Sequence, residues 1–149
     1  MPADVAIRQA RDEERVALGA LKLRSSLGWG HNVEELLALP GTATLEAEMT
    51  ASFVAEIDGR VVGFATVLAR DAHGAELEDL FVEPDEWRRG IGRRLLEEAA
   101  RRAVGAGARR LRVAANARAQ HFYEACGFQV IGEVSDHFGM SPLMQKQLR

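Results

Sequence analysis

Two glycines, Gly90 and Gly92, stand among arginines in the stretch Val82-Glu83-Pro84-Asp85-Glu86-Trp87-Arg88-Arg89-Gly90-Ile91-Gly92-Arg93-Arg94-Leu95-Leu96. Pro84 stops an apolar run and Gly90 precedes one with helical spacing, so the stretch reads as a strand, a turn and the start of a helix. A helix N-terminus offers backbone N–H groups without helical acceptors, together with the positive end of the helix dipole, and so binds anions. Glycine at 90 and 92 lets a phosphate approach without a Cβ in the way, and Arg88, Arg89 and Arg93 add guanidinium donors suited to phosphate oxygens. The same glycines serve equally well for a tight turn and close packing of a helix on a sheet. Two nucleotide motifs are excluded. A dinucleotide fingerprint needs a third glycine where the chain has Leu95, and a Walker A loop needs Gly-Lys-Ser/Thr where Gly92 is followed by Arg93-Arg94.

A second group of reactive types lies just upstream. In a strand, Glu76 and Glu78 fall on one face and Asp79 on the other. A carboxylate beside an amine can take its proton; the alternative use is a solvated acidic face. Tyr123, the single tyrosine, shares a helical face with Ala119 and Cys126. His31 (beside Trp29) and His137 are further acid–base candidates. Cys126 is the single cysteine and forms no internal disulfide. No His/Cys/Asp grouping has metal-ligand spacing, so no metal is expected.

The elements that must position these groups follow from hydrophobic period and turn residues. Residues 5–10 alternate as a first strand. A helix opens at Asp12, Glu13 and Glu14, acids that suit its first turn, and ends at Gly28. Asn32 caps a second helix up to Pro40, and residues 44–51 continue as helix. Residues 52–57 and 61–69 flank Asp58-Gly59, a type I′ hairpin signal, and the second arm, apolar on both faces, is predicted to be central. Residues 76–82 form a strand, and 90–104 a helix with Ile91, Leu95, Ala99 and Ala103 on one stripe. Residues 110–115 form a strand, 118–126 a short helix stopped by Gly127, and 128–134 and 140–148 two last strands. The predicted order is β-α-α-β-β-β-α-β-α-β-β.

Length and composition set the frame. At 149 residues, 47% hydrophobic and 28% charged, the chain suits one globular domain, assigned to residues 5–149, and excludes disordered and fibrous classes. No run approaches a membrane span, and the N-terminal residues lack the order of a signal peptide, so a soluble, cytoplasmic protein without membrane partners is expected. The net charge of -3 hides a basic block: ten arginines and two glutamates occupy residues 88–118, whereas residues 1–87 hold seven bases and seventeen acids. Such a block suggests an anion. Its arginines are spread over a loop, a helix and a strand without interleaved aromatics, which argues against nucleic acid.

The stretch Asn116-Ala117-Arg118-Ala119-Gln120-His121-Phe122-Tyr123-Glu124-Ala125-Cys126-Gly127-Phe128, following the Val-x-Pro and Arg-Gly-hydrophobic-Gly loop, resembles the GNAT (GCN5-related) N-acetyltransferase superfamily, whose members use acetyl-CoA. The strong match covers residues 75–128. The resemblance implies an α/β fold with a mixed, mostly antiparallel twisted sheet flanked by helices and splayed in the middle. It implies acetyl-CoA as co-substrate, with the pantetheine arm beside Leu80-Phe81-Val82, the Val82 N–H on the thioester carbonyl, and the diphosphate on Arg88, Arg89, Gly90, Ile91, Gly92 and Arg93. Asn116 matches an asparagine that contacts pantetheine, although a helix N-cap is its other use. Tyr123 matches the tyrosine that protonates the coenzyme A thiolate, and a phenol with a pKa of about 10 is protonated at neutral pH. Glu78, then Glu76 and Asp79, are candidates for the base. One departure is Trp87, where the family loop carries arginine or glutamine. The implied activity is direct acetyl transfer to a primary amine of a small molecule or a peptide N-terminus. The alternative is a non-catalytic acyl-CoA-binding module. A homodimer is among the assemblies the resemblance allows.

Overall fold

Asp58 and Gly59 take φ angles of +51° and +79°, the two left-handed residues that a type I′ turn requires, and the strands beside them pair antiparallel. This hairpin belongs to a computed structural model that describes residues 4–28, 49–71, 74–136 and 139–148. In chain order the elements are β1 (Ala6–Gln9), α1 (Arg15–Gly28), β2 (Ser52–Ile57), β3 (Arg60–Ala69), β4 (Gly74–Val82), α2 (Ile91–Gly105), β5 (Arg110–Ala114), α3 (Gln120–Ala125), β6 (Gln129–Asp136) and β7 (Gly139–Gln147). The strands form a seven-stranded sheet in the order β1-β2-β3-β4-β5-β7-β6. The pairs β1–β2, β2–β3, β5–β7 and β6–β7 are antiparallel. β4 and β5 are parallel, with Gly74, Ala75 and Glu76 opposite Arg110, Leu111 and Arg112.

The predicted helix over residues 32–40 lies outside the described residues, as does most of that over 44–51, whose end is a 3-10 turn at Met49–Ala51. Two other boundaries differ from expectation. β4 starts at Gly74 instead of 76, because its first three residues pair with β5, a partner distant in sequence. The helix expected over 118–126 is divided into a 3-10 turn at Ala117–Ala119 and α3. Asn116 caps the turn: its side-chain oxygen accepts the Arg118 N–H at 2.8 Å.

The contacts fall into two compact units, Met1–Thr66 with Asp79–Glu98, and Val67–Glu78 with Ala99–Arg149. The first is built on Ala10, Leu18, Leu21, Met49, Val54 and Phe64, with Val61 and Phe81 packed against them. Ile91 and Leu95 are buried there too. Gly63 on β3 sits so close to β4 that a Cβ would lie 3.0 Å from both the Phe81 carbonyl and Leu95 Cδ1. In the second unit Ala99, Ala103, Leu111, Val113, Tyr123, Phe128 and Met144 are buried. The predicted stripe of Ile91, Leu95, Ala99 and Ala103 is therefore the buried face of α2. Among the described residues no helix is long and apolar enough to cross a membrane.

Candidate active site

In the first unit, the loop from β4 to α2 is tied down at its start. Glu83, 7% exposed, donates its backbone N–H to the Val62 carbonyl at 2.8 Å. Its carboxylate takes two hydrogen bonds from the Arg24 guanidinium, both at 2.9 Å. This fork raises the Arg24 pKa above its ordinary value, with the Glu83 hydrogen bond as the main cause. The 3-10 turn Pro84–Glu86 follows. The Trp87 indole N–H then turns back to donate to the Val82 carbonyl at 2.9 Å.

Arg88 has φ +69° and Gly90 φ +80°. A Cβ on Gly90 would meet no atom within 4 Å, so the space beside it is open. The first helical bond is Arg94 N–H to the Gly90 carbonyl at 3.0 Å, which leaves the amides before it without a helical acceptor. The side chains at this N-terminus are partly neutralised by acids. Arg89 lies 3.3 Å from Glu86 and Arg93 3.5 Å from Glu97, while Arg94 donates to the Val5 carbonyl at 3.2 Å. Arg60, from the hairpin, reaches Glu83, Asp85 and Glu86 at 3.7, 3.2 and 3.5 Å. The basic block in sequence is thus mixed in charge in space, with Glu97 from within the block beside Arg93 and Glu86 from just before it beside Arg89.

The strand period separates the three carboxylates as expected. Glu76 and Glu78, in the second unit, share one cation: Arg70 Nε is 2.7 Å from Glu76 and Arg70 Nη2 is 3.3 Å from Glu78. Glu76, the closer, is the main reason the Arg70 pKa is raised. Asp79, in the first unit, points the other way. It is 4% exposed and lies 3.4 Å from Lys22 Nζ, and that ammonium also sits 5.7 Å from the centre of the Phe81 ring, within cation–π range. Leu80 and Phe81 are half-buried and Val82 is buried.

Tyr123, in the second unit, is buried on α3 between Phe122 and Phe128, edge-to-face with both at 5.1 and 5.4 Å between ring centres. Burial is the main cause that raises its pKa well above the ordinary phenol value, and neighbouring Cys126 is the second. Gly127, at φ +94°, ends α3, and the Phe128 N–H returns to the Tyr123 carbonyl at 3.0 Å. The cap made by the Asn116 side-chain oxygen leaves its amide N–H₂ as a donor.

A family model described as the Acetyltransferase (GNAT) family matches residues 9–128. The chain belongs to the GNAT family. Among solved structures, this GNAT chain is similar to N-acetylglutamate synthase from Neisseria gonorrhoeae complexed with coenzyme A and N-acetyl-glutamate. There the identity is 24% and the TM-score 0.76, over 100% of this chain and 36% of that one. The chain therefore spans about a third of the length of the synthase. The PaiA N-acetyltransferase from Thermoplasma acidophilum in complex with coenzyme A is 20% identical with a TM-score of 0.79, covering 97% of this chain and 99% of its own. The ribosomal-protein-S18-alanine N-acetyltransferase from Escherichia coli is 21% identical with a TM-score of 0.73, covering 97% and 94%. These likenesses establish the GNAT fold. No curated protein matches the chain.

Several residues around the GNAT loop and strand escape sequence reasoning: Arg24, Arg60, Arg70 and Lys22 as partners of the acids. Arg24 and Glu83 are 59 positions apart, and no local pattern marks either as the other's partner. For Arg70 a signal existed, since it stands six and eight positions before Glu76 and Glu78 across a short β3–β4 connection.

Proposed function

We propose that this chain is an acetyl-CoA-dependent N-acetyltransferase that moves the acetyl group directly to a primary amine of a small molecule or a peptide N-terminus. The observation that carries this reading is the N-terminus of α2. In a chain of the GNAT family, this helix of 15 residues opens at a left-handed Gly90 with free space beside it, flanked by Arg88, Arg89 and Arg93. Unpaired amides, a helix dipole and guanidinium groups form a donor set that fits a diphosphate.

The bound coenzyme supplies an activated acetyl thioester. The chain's own groups do the rest. The backbone of Leu80, Phe81 and Val82 holds the pantetheine arm, and the Val82 N–H polarises the thioester carbonyl. Arg88, Arg89, Gly90, Ile91, Gly92 and Arg93 hold the diphosphate, and the Asn116 amide donates to the arm. Tyr123 gives its proton to the departing sulfur. Its raised pKa keeps the proton in place at neutral pH, and the desolvation that penalises a phenolate also penalises a thiolate leaving beside it, which keeps the two pKa values from drifting apart. Glu78 is the first choice to take the acceptor's proton. It is exposed and holds Arg70 at a longer distance than Glu76 does. Asp79 is enclosed with Lys22. The acidic residues 1–87 favour a cationic acceptor by steering, and a peptide N-terminus is in keeping with the name of the Escherichia coli relative, an alanine N-acetyltransferase.

Calorimetric titration with acetyl-CoA, NADPH and ATP tests the coenzyme, with binding expected for acetyl-CoA alone. An acceptor screen read by thiol release tests the transfer. Radiolabelled acetyl retained on the protein without acceptor would overturn direct transfer. Tyr123→Phe is expected to lower kcat by about 10²–10⁴-fold with coenzyme A affinity nearly intact, and unchanged turnover would remove Tyr123 from the acid role.

A further inference from the structure

We infer that Trp87 is the positioning residue of the coenzyme loop, fastening it to the end of α1, in the place where the family loop carries an arginine or glutamine. The inference rests on the coenzyme reading above. Three observations meet at this side chain. Its indole N–H donates to the carbonyl of Val82, the last residue of β4, at 2.9 Å. Its ring lies against Gly28, the last residue of α1: a Cβ there would stand 2.9 Å from Trp87 Cη2, with Pro84 Cγ at 3.1 Å. Gly28 is not among the positive-φ glycines, so the position uses its smallness and not its backbone freedom. The next residue, Arg88, is held at φ +69° without being glycine, a conformation that persists only where its surroundings impose it.

The physical argument follows from these anchors. An indole tied at both its N–H and its far edge fixes the backbone at 87. The first helical bond, from Arg94 to Gly90, fixes the backbone at 90. Arg88 and Arg89 must bridge the gap, and their N–H groups point where the two anchors leave them. Trp87 thus acts on the coenzyme through the backbone of its neighbours, with no phosphate contact of its own. An arginine at 87 would add charge but lose the wedge.

Calorimetry with coenzyme A on Trp87→Phe, Trp87→Arg, Gly28→Ala and the Gly28→Ala/Trp87→Phe double variant tests this. Trp87→Phe loses the N–H and the Cη2 edge, and is expected to weaken coenzyme A binding by about threefold to tenfold, the size of one hydrogen bond. The KM for acetyl-CoA should rise in step, with kcat changed less. Trp87→Arg should weaken binding at least as much despite its added cation. Gly28→Ala should weaken binding with Trp87 present and do so less in the Trp87→Phe background, where the contact with the indole edge is lost and only that with Pro84 remains. Tighter binding by Trp87→Arg, or additive losses in the double variant, would overturn the inference. So would a lowered Tm with an unchanged Kd, which marks a merely structural tryptophan. Gly28→Ala reads the same contact from the helix side, so it decides the matter if Trp87→Phe does not fold. If the unsubstituted protein itself fails to bind coenzyme A, the coenzyme reading falls and this inference with it. Binding by the unsubstituted protein with an unchanged Kd in the variants overturns this inference alone.

Discussion

Alkaline titration of Tyr123 reads its environment directly, because the chain has one tyrosine. In the unfolded chain the phenol ionises at about 10. In the folded chain, burial between Phe122 and Phe128, with Cys126 as the second cause, holds the proton well beyond that value. The native state therefore binds the proton more tightly than the unfolded state. The stability this confers is fully present below about pH 10 and is lost as pH rises from there toward the folded value. At about pH 11 the unfolded phenol is ionised about tenfold in excess, so the linkage relation removes about 1.4 kcal/mol of stability. Tyr123→Phe keeps the ring stack and has no proton to release. Between about pH 8 and pH 11 the unsubstituted protein should lose about 1.4 kcal/mol more than Tyr123→Phe, a further drop of about 3–6 °C in Tm for a chain of this size. The phenolate difference absorbance offers an independent reading, and it should appear only with unfolding. A native-state phenolate midpoint near 10, or equal losses in the two proteins, would refute the burial argument and with it the claim that Tyr123 is held protonated by desolvation.

Glu78→Gln should lower kcat and remove the acid limb of its pH profile, whereas Asp79→Asn, which leaves Lys22 facing a neutral buried amide, should cost about 1–3 kcal/mol of stability; the reverse pattern in kinetics and urea melts would exchange their roles. Gly90→Ala meets no atom but must hold φ +80° with a Cβ, so a loss of about 1–2 kcal/mol in stability and weaker coenzyme A binding are expected; calorimetry showing affinity unchanged would detach the loop from the coenzyme. Glu83→Gln keeps the volume and removes the charge that Arg24 binds at two points. It should lower the urea midpoint by the equivalent of about 1.5–3 kcal/mol at constant m-value, and a midpoint that does not move would show the fork to be energetically idle.

What the sequence determined by itself is what neighbouring residues settle among themselves. The left-handed angles of Asp58 and Gly59 follow from a short polar side chain beside a residue without a Cβ, and the turn they make puts β2 and β3 in one hairpin. The stripe Ile91, Leu95, Ala99 and Ala103 reports the helical period, and all four are buried. The alternation in β4 places Glu76 and Glu78 opposite Asp79 because successive side chains of a regular strand point to opposite faces. Family membership, carried by local motifs, was legible for the same reason. The partners of those groups were decided only by the tertiary structure. Arg24 meets Glu83 and Lys22 meets Asp79 because α1 is brought against β4, and Trp87 reaches both Val82 and Gly28 because the loop folds back on itself. An ion pair or a wedge depends on which distant segments share a surface, and no spacing along the chain encodes that. The same limit covers Arg60, which reaches Glu83, Asp85 and Glu86 from the β2–β3 hairpin. The raised pKa of Tyr123 is likewise tertiary, since a phenol keeps its ordinary value until packing removes the water around it.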